Sequence, residues 1–241
     1  KKEFEKQYNQ NVTVEKTGHF KEEDITYIAD VDLPEQNFYI LVDNAESVKK
    51  TADDRAIAVE GWSIDKDNIE MCVIMDGKRG KWDVYGTSRQ LIEMMVKFPK
   101  ADVYIEEAGG GITLLVVLKK ELLIENTQRR AKGKEPITNA INGFKPPREI
   151  SKQVKIKDYM TAPHEQHRIK IYKCCDIDFE KQYKKELLRF DPTKKQQTDN
   201  CIDAVSSGWL VATPKKQIVK VEKSNIPKRK KQNTSRKWRG I

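Results

Sequence analysis

Three short acidic segments, far apart in the sequence, carry the residue types that could do chemistry. Two apolar runs end on carboxylates, at Asp43 and Glu106, and a third segment opens with Asp199 and places Asp203 one helical turn later. Carboxylate oxygens are the hard ligands that Mg²⁺ and Mn²⁺ prefer. Two such ions about 3.5–4 Å apart can activate water and stabilise a leaving oxygen. The pattern therefore predicts a site with two divalent ions, Mg²⁺ or Mn²⁺, for phosphodiester hydrolysis.

The composition indicates a polar chain that is large enough for a hydrophobic core. Its 241 residues are 37% hydrophobic and 34% charged. No apolar run approaches the roughly 20 residues of a membrane span, so we expect no membrane partner. The chain begins at Lys1 with no apolar signal segment and no initiator Met. We therefore expect a fragment of a longer protein. None of the cysteines has zinc-ligand spacing, which favours reduced thiols in a cytosol.

The positive charge is concentrated at the end of the chain. The net charge is +9, but residues 212–241 alone carry +10, so the preceding part is close to neutral at −1. Such a segment predicts a basic flexible tail over 213–241, which could bind DNA phosphates or equally an acidic face of a protein partner. The candidate DNA-binding residues are Lys228, Arg229, Lys230, Lys231, Arg236, Lys237 and Arg239.

Hydrophobic periodicity and turn residues predict the elements that must position the carboxylates. The predicted strands are 25–28, 38–43, 55–62, 69–75, 102–106, one within 137–144, and 168–172. The predicted helices run from a Ser88 cap to Phe98, over 112–118, from Pro147 to about Met160, over 179–190 and over 198–212. A hairpin connection is predicted at 65–68 and a loop at 126–136.

This order of elements predicts an α/β domain with a ribonuclease H-like five-stranded mixed sheet flanked by helices, plus extra short strands. Such a sheet places its first and fourth strands side by side at the centre, which brings Asp43 and Glu106 together. The predicted organisation is an N-terminal linker over 1–35, a nuclease domain over 36–212, and the basic tail.

Three motifs in this order resemble the nuclease domain of the large terminase subunit of tailed bacteriophages. Val42-Asp43-Asn44-Ala45 precedes an Asp-x-x-Ala-Ile strand, and a Val-x-Ile-Glu strand ending at Glu106 precedes glycines and an apolar helix. A Glu-Leu-x-x-Phe helix over 186–190 precedes the acidic segment with its Asp-Ala pair. Two features depart from the family. Thr198-Asp199-Asn200 stands where His-Asp-Asp is common, and the chain has no phosphate-binding loop.

The resemblance implies an endonuclease that cuts concatemeric double-stranded DNA during viral packaging. Asp43, Glu106 and Asp199 would be the catalytic metal ligands, with Asp203 auxiliary. The implied partners are DNA, a packaging ATPase domain upstream in the same polypeptide, the portal and the small terminase subunit. The implied location is the cytoplasm of the host bacterium, where this viral protein would act.

Two alternative functions are compatible with the same residues. The fold also serves junction resolvases and transposase-like nucleases, and a non-catalytic DNA-binding module could retain the acids as relics. The amide at Asn200 favours the last of these, because it adds no charge to a metal site. Glu107 follows Glu106 but is expected to point to the opposite face of the strand. Asp54 is expected to be a turn residue, with a peripheral part in the site as the alternative.

Overall fold

The computed structural model describes residues 19–43, 54–108, 110–147 and 149–216. The strands are β1 (Thr26–Ile28), β2 (Asn37–Asp43), β3 (Arg55–Ile64), β4 (Glu70–Gly80), β5 (Asp102–Glu106), β6 (Ile141–Phe144), β7 (Ile169–Tyr172) and β8 (Lys215–Lys216). The helices are α1 (Val84–Lys97), α2 (Gly111–Ala131), α3 (Lys152–Glu165), α4 (Ile177–Arg189), α5 (Asn200–Ser206) and α6 (Gly208–Val211).

One mixed sheet organises the described residues. Its strand order is β1-β7-β4-β3-β2-β5-β6, with β8 paired to β3. β3 is antiparallel to both β2 and β4, while β2, β5 and β6 run parallel. The five strands from β4 to β6 thus have the order third, second, first, fourth, fifth. This is the ribonuclease H-like arrangement predicted from the sequence, with β1 and β7 added at the edge next to β4.

Helices cover both faces of the sheet and enclose two cores. On one face, α1 and α2 contribute Leu91, Met95 and Leu114 against Ile40 and Ile105 of the sheet. On the other face, α3, α4 and α5 pack against alternate residues of the same strands, and the buried members include Leu41, Ile156, Phe179, Leu187 and Ile202. Alternate strand residues point to opposite faces, so the face of each strand residue follows from its position.

The hairpin between β3 and β4 forms where its turn residues predicted it. The Asp65 carboxylate accepts hydrogen bonds from the backbone N–H groups of Asp67 and Ile69, both at 2.9 Å. Asn68 adopts a left-handed conformation with φ of 63°, which Asn tolerates better than most residues. The Asp and Asn in this connection therefore account for the reversal of the chain.

Two predicted helix starts were wrong because a different residue caps the N-terminus of each helix. α1 begins at Val84, where the Asp83 carboxylate accepts from Gly86 N at 2.6 Å, and Ser88 is buried inside the helix. α3 is capped by Ser151, whose hydroxyl accepts from Val154 N, and so begins after Pro147. Asp and Ser are both strong N-cap residues, so local preference did not decide between two candidates a few residues apart.

Two other helix predictions were wrong in extent. α2 continues to Ala131, through part of the loop predicted at 126–136. That stretch has no Pro and no Gly before Gly133, where φ turns to +66°, and its polar residues suit an exposed helix. The helix predicted over 198–212 is divided at Ser207 into α5 and α6.

The predicted domain boundaries at residues 36 and 212 fall inside packed structure. Phe20 is buried in the core beneath α3 and α4, and β1 is part of the sheet. On the C-terminal side, Tyr39 donates from its hydroxyl to Thr213 O at 3.0 Å, and β8 pairs with β3. The predicted DNA-binding residues between 228 and 239 lie outside the described residues. No helix in the described ranges is long and apolar enough to cross a bilayer.

Glu60 is an acid buried within the core, and it makes stability depend on pH. Its side chain is fully buried in β3, with one oxygen accepting from Trp62 Nε1 at 2.7 Å and Oε1 without a hydrogen-bond partner. Burial raises the pKa of Glu60 from 4.5 to about 8. The folded protein therefore holds this proton more tightly than the unfolded chain does.

We expect the free energy of unfolding to fall as the pH rises from about 4.5 to about 8, because folding keeps Glu60 protonated over this range. A group whose folded and unfolded pKa values differ by one changes the free energy of unfolding by up to about 1.4 kcal/mol. Glu60→Gln should show a smaller decline, since it lacks the contribution of Glu60, and it should be more stable than wild type above pH 8. Urea denaturation of both proteins at several pH values measures the difference. Identical pH profiles for the two proteins would contradict the expectation that the buried Glu60 carboxyl destabilises the folded protein at high pH.

Candidate active site

Asp43 and Glu106 lie next to each other at one edge of the sheet. They are the last residues of β2 and β5, which run parallel with Val42 opposite Ile105. Leu41 and Tyr104, two residues earlier in each strand, belong to the face covered by α3, α4 and α5. Since side chains alternate along a strand, Asp43 and Glu106 point to that same face. The structure thus brings together the two strand-end carboxylates that the sequence placed side by side.

Glu107 lies outside this arrangement. Its carboxylate is 3.4 Å from Lys145 Nζ, and its backbone N–H donates to Phe144 O at 2.8 Å. It is therefore engaged with the segment at the end of β6. The expectation that Glu106, and not its neighbour, faces the site agrees with this geometry.

Gly111 allows α2 to begin directly against the end of β5. A Cβ at this position would lie 1.8 Å from the carbonyl oxygen of Glu106. No side chain fits there without moving the backbone. The glycine is needed for close packing, and it helps to hold the strand end that carries Glu106.

The short helix α5 contributes the other two carboxylates. Asp199 is the residue just before the helix, and Asp203 lies one turn later, with its N–H donating to Asp199 O at 2.8 Å. Both side chains are almost fully buried, at 6% and 8% exposure. The spacing of four residues predicted that they share a face. That face is directed at the end of β2.

A lysine that the sequence pattern did not single out lies at the centre of these acids. Lys152 Nζ is 2.8 Å from Asp199 Oδ1, 3.1 Å from Asp203 Oδ2 and 3.6 Å from Asp43 Oδ2. Lys155, one turn further along α3, is 2.6 Å from Asp203 Oδ1 and 3.2 Å from Ser207 Oγ. The three carboxylates therefore share two ammonium groups.

A weak signal for these lysines was present in the sequence. Lys152 lies three residues before Lys155 and four before Ile156, so both lysines are on the side of the helix that carries a core residue. Lysines on a buried face need acidic partners. The sequence could not show which acids those were.

The pKa values in this cluster reflect burial and the balance of charge. Burial, followed by the negative charge of Asp203, raises the pKa of Asp43 to about 7 against the opposing effect of the lysines. Burial would also raise the pKa of Asp203, but the ammonium groups of Lys155 and Lys152 outweigh it and hold the pKa below its usual value. Burial would lower the pKa of Lys152, yet the surrounding carboxylates raise it. The two lysines thus keep Asp203 charged, while burial favours the neutral form of Asp43.

The chemistry of this donor set fits a metal ion, but its present geometry is that of an ammonium site. No group of three or more His, Cys, Asp or Glu in the described part of the chain is arranged to hold a metal. The carboxylates converge instead on Lys152 at 2.8–3.6 Å, whereas Mg²⁺ requires about 2.0–2.1 Å. Asp43 Oδ2 is buried and has no hydrogen-bond partner. The carboxylate oxygens are hard ligands that suit a divalent ion, but the Lys152 ammonium lies in the space between them.

Glu186 holds α5 in place and is a second residue whose role the sequence did not reveal. Its Oε2 accepts from the N–H groups of Cys201 at 2.7 Å and Ile202 at 3.3 Å. Its Oε1 accepts from Gln182 Nε2 at 2.9 Å and lies 4.0 Å from Arg79 Nε. Glu186 begins the Glu-Leu-x-x-Phe motif, which marked its position without its function. It binds the first turn of the helix that carries the site carboxylates.

Asp54 does not join the cluster. Its carboxylate forms an ion pair with Arg79 NH2 at 2.5 Å. Since the same arginine approaches Glu186, Asp54 takes part in a neighbouring ion-pair network.

The strand order of the sheet places the chain in the class of mixed α/β domains with a ribonuclease H-like sheet. The carboxylates lie at the ends of its central strands. No family model matches the sequence. No curated protein matches it either. A solved structure of the large terminase nuclease from thermophilic phage G20c is similar, with 13% sequence identity and a TM-score of 0.42. The similarity covers 79% of this chain and 96% of that one.

Proposed function

We propose that this chain is the metal-dependent endonuclease domain of a phage DNA-packaging terminase large subunit. One observation carries the proposal. Asp43 from the end of β2 and Asp199 and Asp203 from the start of α5 converge on a single cation. Glu106 ends the neighbouring parallel strand on the same face. The ordered sequence motifs that resemble terminase nucleases support the choice of substrate.

The residues have distinct roles in this proposal. Asp43, Glu106 and Asp199 would hold two divalent ions, Mg²⁺ or Mn²⁺, and Asp203 would assist. Bound ions supply an activated water and neutralise the leaving oxygen. The chain itself fixes the carboxylates on two adjacent strands and one capped helix, so that their backbone positions are set by the fold. Asp203, already paired with Lys155 at 2.6 Å, orients the ligand helix against α3.

A second candidate is a non-catalytic DNA-binding module. The observation that favours it is Lys152, whose ammonium partly neutralises the three aspartates. Asn200, buried at the start of α5, adds no further charge. The two candidates differ in whether the protein cuts DNA.

Plasmid digestion separates these candidates. We expect wild-type protein with Mn²⁺ to convert supercoiled plasmid into nicked and linear forms, and we expect no conversion when EDTA removes the metal. Cleavage should return when Mn²⁺ is added in excess of EDTA. Plasmid that remains supercoiled at all metal concentrations would favour the non-catalytic module.

The proposed partners follow from the same assignment. They are double-stranded DNA, a packaging ATPase upstream in the same polypeptide, the portal and the small terminase subunit. The proposed place of action is the cytoplasm of the infected bacterium. Co-purification of the full-length polypeptide with portal protein tests the assembly, and a complete lack of association would count against it.

We further propose that the basic residues between 228 and 239 bind DNA phosphates without taking part in the chemistry. A chain ending at Lys216 retains every described strand. It should bind DNA more weakly at low salt, because each phosphate contact contributes about 0.9 to the log–log salt slope. Metal-dependent cleavage should persist at a reduced level. DNA binding across a salt series provides the measurement, and an unchanged slope would assign the segment to a protein partner such as the portal.

A further inference from the structure

Lys152 and Lys155 contact the same acids but differ in how firmly they are held. The Lys155 side chain is 6% exposed, and it bonds both Asp203 and Ser207. The Lys152 side chain is 33% exposed, and its ammonium faces the three carboxylates. It stands at the first residue of α3. Lysine has a long, flexible stem, so Lys152 can leave the cluster while the backbone of α3 stays in place.

We propose that Lys152 is an internal counter-ion that competes with the divalent metal, so that metal binds only when this ammonium withdraws. The inference rests on the proposed metal site and adds the residue that controls its occupation. Lys152 approaches Asp199 and Asp203 within 2.8 and 3.1 Å. A divalent ion that uses Asp43 and Asp199 as ligands requires that same space.

Charge and space both make the two cations mutually exclusive. An ammonium within hydrogen-bonding distance of the ligand oxygens would be only a few ångströms from the ion, where two positive charges repel strongly in a poorly solvated site. When Lys152 leaves, Lys155 still pairs with Asp203, and among the described residues of this cluster three aspartates face that one ammonium. The cluster then has the excess negative charge that attracts a divalent ion. In the metal-free protein, Lys152 offsets part of the repulsion among the carboxylates.

Calorimetric titration with Mn²⁺ alone tests the competition. We expect Lys152→Gln to bind Mn²⁺ about tenfold more tightly than wild type or better, because one opposing charge is removed. Lys152→Arg keeps the charge and should bind no more tightly than wild type. Lys157→Gln is the matched control, since it removes an exposed lysine from the same helix, and its affinity should equal that of wild type.

A measurement on the wild-type protein covers the case in which Lys152→Gln fails to fold. Lysine acylation followed by mass spectrometry reports how accessible each ammonium is. Labelling of Lys152 should be slow without metal and rise severalfold when Mn²⁺ is added, while labelling of Lys157 stays constant. Labelling of Lys152 that is unchanged by bound Mn²⁺ would show that the lysine does not move.

The outcomes separate this inference from the proposed function. If wild type binds Mn²⁺ and cuts DNA, but Lys152→Gln binds Mn²⁺ no more tightly, the competition is refuted and the nuclease assignment stands. If neither wild type nor Lys152→Gln binds Mn²⁺, the metal site and the competition are both refuted. Tighter binding by Lys152→Gln, together with metal-induced labelling of Lys152, supports the competition even if wild-type cleavage is slow.

Discussion

Asp43→Asn is expected to abolish Mn²⁺-dependent cleavage, with a loss of about a thousandfold or more, corresponding to the several kcal/mol that metal coordination contributes to the transition state. The reason is that Asp43 lies between Glu106 on the adjacent strand and the two carboxylates of α5. An amide in its place keeps the shape of the side chain but removes its negative charge. The rate of plasmid cleavage at saturating Mn²⁺ provides the measurement.

The same variant should fold at least as stably as wild type in the absence of metal. The Asp43 side chain is only 15% exposed and lies near Asp203, and both its partial burial and the neighbouring negative charge disfavour its charged form. Removing that charge relieves repulsion within the cluster, while Lys152 keeps two carboxylate partners. Urea denaturation in EDTA therefore distinguishes a loss of chemistry from a loss of structure.

Two neighbouring glutamates provide a matched pair of controls. Glu106→Gln should lose cleavage as Asp43→Asn does. Glu107→Gln, which removes an equal charge one residue away, should retain it because Glu107 pairs with Lys145. Full Mn²⁺-dependent cutting by Asp43→Asn, or equal losses in both glutamate variants, would show that the ligands are assigned wrongly.

Glu186→Ala is expected to cause the largest loss of stability, about 3 kcal/mol, because a buried cap and its hydrogen bonds are removed together. The N–H groups of Cys201 and Ile202 would lose their acceptor in a buried environment. Since α5 positions Asp199 and Asp203, cleavage should fall as well, although Glu186 is not a ligand. Urea denaturation and the plasmid assay measure the two effects.

Variants at two positions of α4 distinguish the loss of this cap from the general cost of truncating a side chain on the helix. Glu186→Gln keeps an acceptor oxygen, so its loss of stability should be smaller than that of Glu186→Ala. Lys185→Ala removes a neighbouring side chain that lies outside the buried core and should change stability by less than about 0.5 kcal/mol. If Glu186→Ala were as stable as Lys185→Ala, the N-terminus of α5 would not depend on this carboxylate.

The sequence by itself determined the central strands and two of the site carboxylates. The apolar runs that end at Asp43 and Glu106 form β2 and β5, and the Asp and Asn at 65–68 form the predicted hairpin. The order of elements then indicated which strands are neighbours. Alternation along a strand is local, so it separated Glu106 from Glu107 without any knowledge of their neighbours.

Helix ends and the packing of both ends of the domain were decided by the tertiary structure. Asp83 and Ser88 are both acceptable caps, and the packing of α1 selects the first. Phe20 lies in a segment with weak patterning, yet it is buried by residues from α3 and α4. Local preferences differ by only about 1 kcal/mol, so long-range burial outweighs them.

Only the tertiary structure shows which cation lies at the centre of the site. Lys152 contacts Asp43, which lies far earlier in the chain on β2, and Asp199 and Asp203, which belong to a different helical segment. Periodicity predicts which face of an element is buried, but it does not identify the remote charges that meet on that face. Because the energy of a buried charge depends on all its neighbours at once, the balance between lysine and metal follows only from the folded arrangement.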